Sequence, residues 1–302
     1  MSTSTSPPPV LVARHAMATR FEFALHGDRP ASLRAAAEEA LDEVERVENL
    51  LSLYRNHTDI ARINAGAPFG PVRVALETFQ LLERVRGWSE QTDGAFDVTA
   101  GPLVRAWGFH GGTGGEPSTR ELEVARQCVG WDRLILNAGE RSVRFTSPGG
   151  MLDLGAVGKG YALDRAADIL REAGVCSALL HGGTSTIVAL GAPPGLEGWT
   201  VALPTASGGG VGIGILLRDE SLSVSAVWGR SFVDATGRRL GHVLDPRSGL
   251  PVSGAAMAAV ALPSATATDA LSTALLVLGR GGPSRLAKTF PGIRTWMTGE
   301  EP

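Results

Sequence analysis

Asp269 is the one charge in SATATDALSTALLVLG, residues 264–279, and Thr273 follows it by four positions. On a helix the two side chains project from one face. A carboxylate and a hydroxyl one turn apart are hard oxygen donors, and magnesium needs few protein ligands because waters and phosphates complete its shell. A first-turn carboxylate is also favoured by the helix dipole. Asp269, Thr266 or Thr268 equally suits N-terminal capping, so this stretch alone leaves both readings open. Three further stretches carry groups that could act with it. In MLDLGAVGKGYALDRAADIL (151–170), Asp153 ends an apolar segment read as a strand, and Lys159 opens a helix among glycines. Unobstructed N–H groups at a helix start suit an anion, and Lys159 adds positive charge; a solvated lysine in an ordinary turn reads equally well. In GHVLDPRSGLP (241–251), His242 closes a strand pattern before a turn begun by Asp245-Pro246 and completed by Ser248-Gly249. A loop-held histidine can serve as a general base near neutral pH, or sit satisfied at the surface. Asp97, between Phe96 and Val98, is a functional carboxylate or a hydrogen-bonded one within a core segment.

Other chemistries are excluded by spacing. GAVGKGY lacks the four residues a phosphate loop needs before Gly158-Lys159, and Gly160 stands where a hydroxyl residue is required. GGTSTI ends in Ile187 where a nucleophile elbow needs glycine. The six histidines form no paired zinc spacing. Two cysteines, Cys128 and Cys176, make no CxxC pair, which excludes a zinc ribbon or a disulfide framework and leaves a single bridge open. With 43% hydrophobic and 20% charged residues and a net charge of -3, the chain reads as a soluble globular protein with no pull toward nucleic acid. The start has no basic region before an apolar run, and Pro263 and Asp269 interrupt the apolar stretch 250–279. These features predict a cytoplasmic protein without a membrane span.

The elements that must position these groups follow from periodicity. Residues 30–54 carry one helical face of Leu33, Ala36, Ala37, Ala40, Leu41, Val44, Val47 and Leu51. Helices are also predicted over 75–94, 160–174 and the opening stretch, with GRGGPSRLAKTF after it. Strands are predicted at 20–27, WDRLILN, SVRFTSPGGMLDLG, SALLHGG and TIVALG, the segments of VGIGILLRDESLSVS, SFVDATGRRLGHVL, AAMAAVALP and a last one near GIRTWMTG. Residues 111–121 read as a glycine-rich loop. Helices and hairpins mix without βαβ alternation, which predicts an α+β fold. The expected organisation is a flexible tail over 1–11 and a single domain over 12–302.

Taken together, GAFDVTAGPLVRAWGF, DLGAVGKGYALDRAADILREAG, GHVLDPRSGLPV and TDALSTALLVLG resemble, in this order, the signatures of the ApbE family of flavin transferases. MATRFEF (17–23) and LSLYRNHTDIARIN (51–64) are weaker matches, and the resemblance runs from about Met17 onward. It implies an ApbE-like, T-fold-like α+β domain of mixed helices and antiparallel sheets with an FAD groove. It further implies magnesium-dependent transfer of FMN from FAD to a threonine or serine hydroxyl of an acceptor flavoprotein, with release of AMP. By the same resemblance Ala156 (through its carbonyl), Asp269 and Thr273 would hold the magnesium. Met17, Tyr54, Ala95, Phe96, Asp97, Asp153 and Lys159 would line the FAD site. His242 falls at the position of the base, and Asp153 is grouped with it as catalytic. FAD hydrolysis to FMN and AMP, or non-catalytic FAD binding, are the alternatives.

Three positions depart from the family's pattern. Ala18 follows Met17 where glycine is frequent, GGTST (182–186) has Thr184 where an acidic residue is usual, and Ser225-Ala226 replaces Ser-Gly. The expectation is that these sites border the FAD groove and leave the metal ligands untouched.

Overall fold

The structure is a computed structural model that describes residues 8–203, 212–234, 236–253 and 255–299. Residues 1–7, most of the expected tail, lie outside the described residues; Val10 and Leu11, expected in that tail, already belong to a strand. In chain order the elements are β1 (Val10–Ala16), β2 (Thr19–Leu25), α1 (Pro30–Leu51), α2 (Asp59–Gly66), β3 (Val72–Arg73), α3 (Leu76–Gln91) and α4 (Gly101–Ala106). Next come α5 (Thr119–Arg126), β4 (Leu134–Asn137), β5 (Ser142–Phe145), α6 (Gly158–Glu172), β6 (Ala178–Gly182) and β7 (Thr186–Leu190). The chain continues through β8 (Trp199–Ala202), β9 (Gly214–Leu217), β10 (Glu220–Ala226), β11 (Ser231–Val233) and β12 (Arg239–Gly241). It closes with β13 (Met257–Leu262), α7 (Ala265–Leu278), α8 (Gly282–Thr289) and β14 (Arg294–Thr298). This mixture of helices and antiparallel strands is the α+β class that the pattern predicts. No helix among the described residues is long and apolar enough to cross a membrane. Both cysteines are free thiols.

Two compact units divide the chain: the first is 1–48, 157–224 and 259–269, the second 49–156, 225–258 and 270–302. In the first, β1, β2, β6, β7, β10 and β13 lie side by side in that order, antiparallel from β1 through β10. Phe21, Phe23 and Leu25 alternate onto the buried face of β2, as a two-residue period requires. The predicted apolar stripe of α1 is buried at all eight positions. Met17 and Ala18 make the two-residue turn between β1 and β2, both with positive φ (51° and 56°), the pattern of a type I′ hairpin. Glycine is the unstrained residue there, which accounts physically for its frequency after the methionine.

Helices α6 and α7 meet at Gly160. A Cβ on this residue would lie 2.1 Å from the Ala265 carbonyl oxygen and 2.9 Å from Asp269 Cβ. Helix α7 is buried nearly all round, which is why its sequence shows no amphipathic stripe. Its first turn is capped from α6: Asp164 accepts from the backbone N–H groups of Ala265 (2.8 Å) and Thr266 (2.9 Å) and from the Ser264 hydroxyl (2.7 Å). Capping therefore falls to a carboxylate distant in sequence, where the sequence offered Thr266, Thr268 and Asp269.

In the second unit β3, β5 and β4 form one small antiparallel sheet and β11 and β12 another. Leu103, Trp107, Phe109, Ala125 and Leu244 pack together as a core. Three local expectations are corrected. Residues 151–154 are not a strand: Leu152 pairs through both backbone groups with the Asn64 side-chain amide (2.7 and 2.9 Å), and Asp153 N–H donates to Val98 O (2.8 Å). An amide side chain thus replaces a neighbouring strand. WDR begins as a 3₁₀ turn, and the glycine-rich loop yields to α5 at Thr119, where Ser118 and Glu121 form a capping box.

Two stability outcomes follow. Ala18→Gly relieves left-handed strain of about 1–2 kcal/mol against about 0.5–1 kcal/mol of extra unfolded-chain entropy, so the urea midpoint rises slightly. Gly160→Ala forces α6 and α7 apart and destabilises by about 3 kcal/mol, read as a lower urea midpoint at unchanged slope.

Candidate functional site

Asp269 sits in the second turn of α7 and is 4% exposed. A buried carboxylate needs donors, and the fold brings them from two elements. Gly160 N–H of α6 donates to Oδ2 at 3.0 Å, and the buried Thr186 hydroxyl of β7 donates to Oδ1 at 3.2 Å. Lys159 Nζ lies 3.8 Å from Oδ2. The glycine that lets α6 approach α7 therefore also supplies the N–H that holds the carboxylate. Three of the expected features, Lys159, the bare helix start and Asp269, are gathered in one place.

Thr273 is one turn further along α7. Its hydroxyl is 3.0 Å from Ser225 Oγ at the end of β10, and Ser225 Oγ is 2.9 Å from Ser272 Oγ. The expectation that the departing stretches leave the metal ligands untouched is therefore corrected. Thr186 belongs to GGTST and contacts Asp269, and Ser225 contacts Thr273. The donor set on α7 is made of hard oxygens, and no group of three or more His, Cys, Asp or Glu able to hold a metal occurs among the described residues. That chemistry fits a magnesium-type ion that takes most of its shell from waters, carbonyls and phosphates. Ala156, whose carbonyl is the third expected ligand, lies in the turn just before α6.

In the second unit Asp153, Tyr54 and a histidine that the sequence reading passed over come together. His110 Nε2 is 3.4 Å from Asp153 Oδ2, outside hydrogen-bond geometry, and this buried nitrogen has no hydrogen-bond partner. The Tyr54 ring, 66% exposed, lies 6.3 Å from the His110 ring. Burial pushes the Asp153 carboxyl up, but the neighbouring His110 ring, the Gly155 N–H (2.7 Å) and the Arg230 charge outweigh it and hold it below the usual carboxylate range. Asp153 is thus a fixed negative charge at neutral pH. It is not a proton donor there.

His242 follows β12 directly, with its ring edge-on to Phe109 at 6.3 Å. Nδ1 is 3.1 Å from the Arg230 carbonyl and 3.3 Å from the Arg230 nitrogen. One neutral tautomer cannot serve both contacts; the shorter one, to an oxygen that only accepts, places the proton on Nδ1 and leaves Nε2 as the basic nitrogen. The turn beyond it is as the sequence predicts: Gly249 (φ 77°) donates to Asp245 O at 2.7 Å, and its own carbonyl accepts from Trp107 Nε1 at 2.8 Å.

Ala95 and Phe96 are buried core residues, with their N–H groups bonded to Thr92. Asp97 caps the turn at 98–100 by accepting from Thr99 N–H at 2.8 Å, and burial raises its carboxyl against that bond. It also borders an open cavity of about 640 Å³ with Gly94, Glu123, Arg126 and Arg247. Met17 stands at the β1–β2 turn, where Thr19 is pressed against Gly183. Asp164, Gly160, Thr186 and His110 were not read from the sequence as parts of the site. Gly160 and Asp164 are i and i+4 on one face of α6, and that spacing opposite a Ser/Thr-rich helix start is the available signal.

The profile of the ApbE family matches residues 17–297. An FAD:protein FMN transferase of Klebsiella pneumoniae is 33% identical over 222 residues, covering 72% of this chain and 67% of that protein. One of Treponema pallidum is 31% identical over 287 residues, covering 89% of this chain and 78% of that protein. The crystal structure of the ApbE protein of Thermotoga maritima superposes with a TM-score of 0.88 at 28% identity, covering 97% and 94% of the two chains. The apo flavinyl transferase ApbE of Pseudomonas stutzeri gives 0.85 at 26%, covering 100% and 94%. A match over nearly the whole length, on the fold that carries Asp269, Lys159, Asp153 and His242, makes this chain a member of the ApbE family.

Proposed function

We propose that the chain is a magnesium-dependent FAD:protein FMN transferase that attaches FMN to a threonine or serine hydroxyl of an acceptor flavoprotein and releases AMP. The observation that carries this reading is the buried Asp269 carboxylate of α7, oriented by Gly160 N–H beside Lys159 and followed one turn later by Thr273. Such a carboxylate has no role in core packing that an apolar residue would not fill better. Asp269, Thr273 and the Ala156 carbonyl would hold the ion, which when bound supplies positive charge to the pyrophosphate oxygens.

The chain's own groups do the rest. Lys159 faces the anionic substrate and offsets its charge. Tyr54 offers an exposed ring for stacking, and Met17 and the 95–97 segment would line the FAD. His242 Nε2 takes the proton of the acceptor hydroxyl, whose oxygen then attacks the FMN phosphorus while the bond to AMP breaks. Asp153 stays ionised beside His110, and its charge orients and stabilises rather than transfers a proton. Positioning and electrostatics suffice for phosphoryl transfer of this kind.

The test measures AMP released from FAD with magnesium, with and without a flavinylation-domain acceptor, followed by the acceptor's intact mass. A mass gain equal to FMN with stoichiometric AMP is expected. AMP without a mass gain identifies a hydrolase, and FAD binding with neither product identifies a flavin-binding relative. Asp269→Asn keeps the shape of the side chain and lowers turnover by about 100-fold or more. His242→Ala lowers it by about 10²–10⁴-fold. Unchanged turnover in either variant removes that residue from the mechanism.

A further inference from the structure

Two hydroxyls from neighbouring strands meet α7 at the two side-chain oxygens assigned above to the cation. Thr186, fully buried on β7, donates to Asp269 Oδ1 at 3.2 Å. Ser225, at the end of β10, lies 3.0 Å from Thr273 Oγ1 and 2.9 Å from Ser272 Oγ. The bonding capacity of these groups fixes a direction. A threonine hydroxyl that offers a lone pair to a cation must send its one proton elsewhere. Ser225 Oγ is placed to accept it, and its own proton continues to Ser272 Oγ. At Asp269, Gly160 N–H occupies Oδ2 and Thr186 occupies Oδ1, so the carboxylate plane is fixed by a donor on each oxygen.

We propose that Thr186 and Ser225 are positioning residues for the cation site, each holding one ligand oxygen of α7 in the orientation that binds the ion. The inference rests on the metal reading given under Proposed function. It goes beyond that reading by assigning the tuning of the site to two hydroxyls outside the ligand set. Both lie in or beside stretches where this chain departs from the family's pattern, so the departures bear on metal affinity as well as on the flavin groove. A purely structural role predicts a different outcome: the hydroxyls would stabilise the packing of α7 on β7 and β10, and their loss would lower stability while leaving ion binding intact.

The experiment uses the full chain with saturating FAD and Mn²⁺ as the spectroscopic probe, its binding read from the signal of free Mn²⁺. Thr186→Val and Ser225→Ala each weaken Mn²⁺ binding by about tenfold. The loss appears in the Mn²⁺ concentration needed for half-maximal AMP release rather than in the plateau rate, and Thr186→Ser restores binding. Wild-type Mn²⁺ affinity in both variants overturns the inference; Asp269→Asn, measured beside them, then still loses the ion and leaves the metal reading standing. A loss in Thr186→Val that Thr186→Ser does not restore assigns a packing role and also overturns it for Thr186. Equal Mn²⁺ binding by wild type and Asp269→Asn removes the metal reading and this inference together. Should Thr186→Val fail to fold, Ser225→Ala decides, because its partners are other hydroxyls.

Discussion

The rest of the first unit is arranged around one buried carboxylate. Removing Asp269 from water is unfavourable by several kcal/mol unless donors replace the solvent, and an ionised group needs more of them than a neutral one. The fold meets this demand with a backbone N–H from α6 and a hydroxyl from β7, and places an ammonium nearby. Each donor constrains something else. The N–H reaches Oδ2 only if residue 160 has no side chain, because a Cβ there would enter the Ala265 carbonyl. The height of α7 against α6 is then set by Asp164, which gathers the helix's first N–H groups. An aspartate on one helix thus orders the aspartate on the next. Carboxylate, cap and close approach are parts of one arrangement.

The second unit holds its reactive groups differently. His242 and Asp153 are on irregular backbone, and each is fixed by isolated bonds rather than by a helix or strand ladder: Nδ1 to the Arg230 carbonyl, and Asp153 N–H to Val98 O with Gly155 N–H turned back onto the carboxylate. In the proposed reaction the base would meet a hydroxyl delivered by another protein, and loops carried on a packed core suit that task. The proposed cation would have to stay in place through the reaction, and a helix buried nearly all round suits that task. The core of Leu103, Trp107, Phe109 and Leu244 backs the loops around His242, since Trp107 bonds the Gly249 carbonyl and Phe109 packs against the His242 ring.

How far the sequence discloses this depends on the range of the interaction. Periodicity exposes α1 in full because one face of a helix is a local pattern, and the hairpin β11–β12 because turn chemistry is local too. Asp269 and Thr273 stand out by contrast with the apolar residues around them. The strand read over 151–154 does not form, because its partner is the Asn64 side chain and no composition rule announces an amide in place of a strand. Asp164 was hidden for the same reason: a cap supplied from another helix leaves no trace near the helix it caps. His110 sits in a glycine-rich run that reads as loop, and only its approach to Asp153 and Tyr54 distinguishes it. The short helices α2, α4 and α5 are below the length at which an apolar stripe becomes legible.

The departures from the family's pattern also change meaning once the chain is folded. Ala18 and Thr184 are remote in sequence, yet they flank a single contact: Gly183, at φ 67°, is pressed against Thr19 so closely that a Cβ would lie 2.4 Å from the Thr19 hydroxyl, and its N–H bonds the Arg20 carbonyl at 3.0 Å. The β1–β2 turn that carries Met17 therefore rests on the β6–β7 turn that carries Thr184. A substitution in either turn reaches the other through the Thr19 side chain against Gly183 and the Gly183 N–H bond to the Arg20 carbonyl. Ala18, held at positive φ without the freedom of glycine, limits how that pair of turns can adjust, and Met17 is fixed with them. The two departures are one coupled feature of the first unit. Two residues beyond Thr184, Thr186 binds Asp269, so the same turn ends at the carboxylate on which the unit is built.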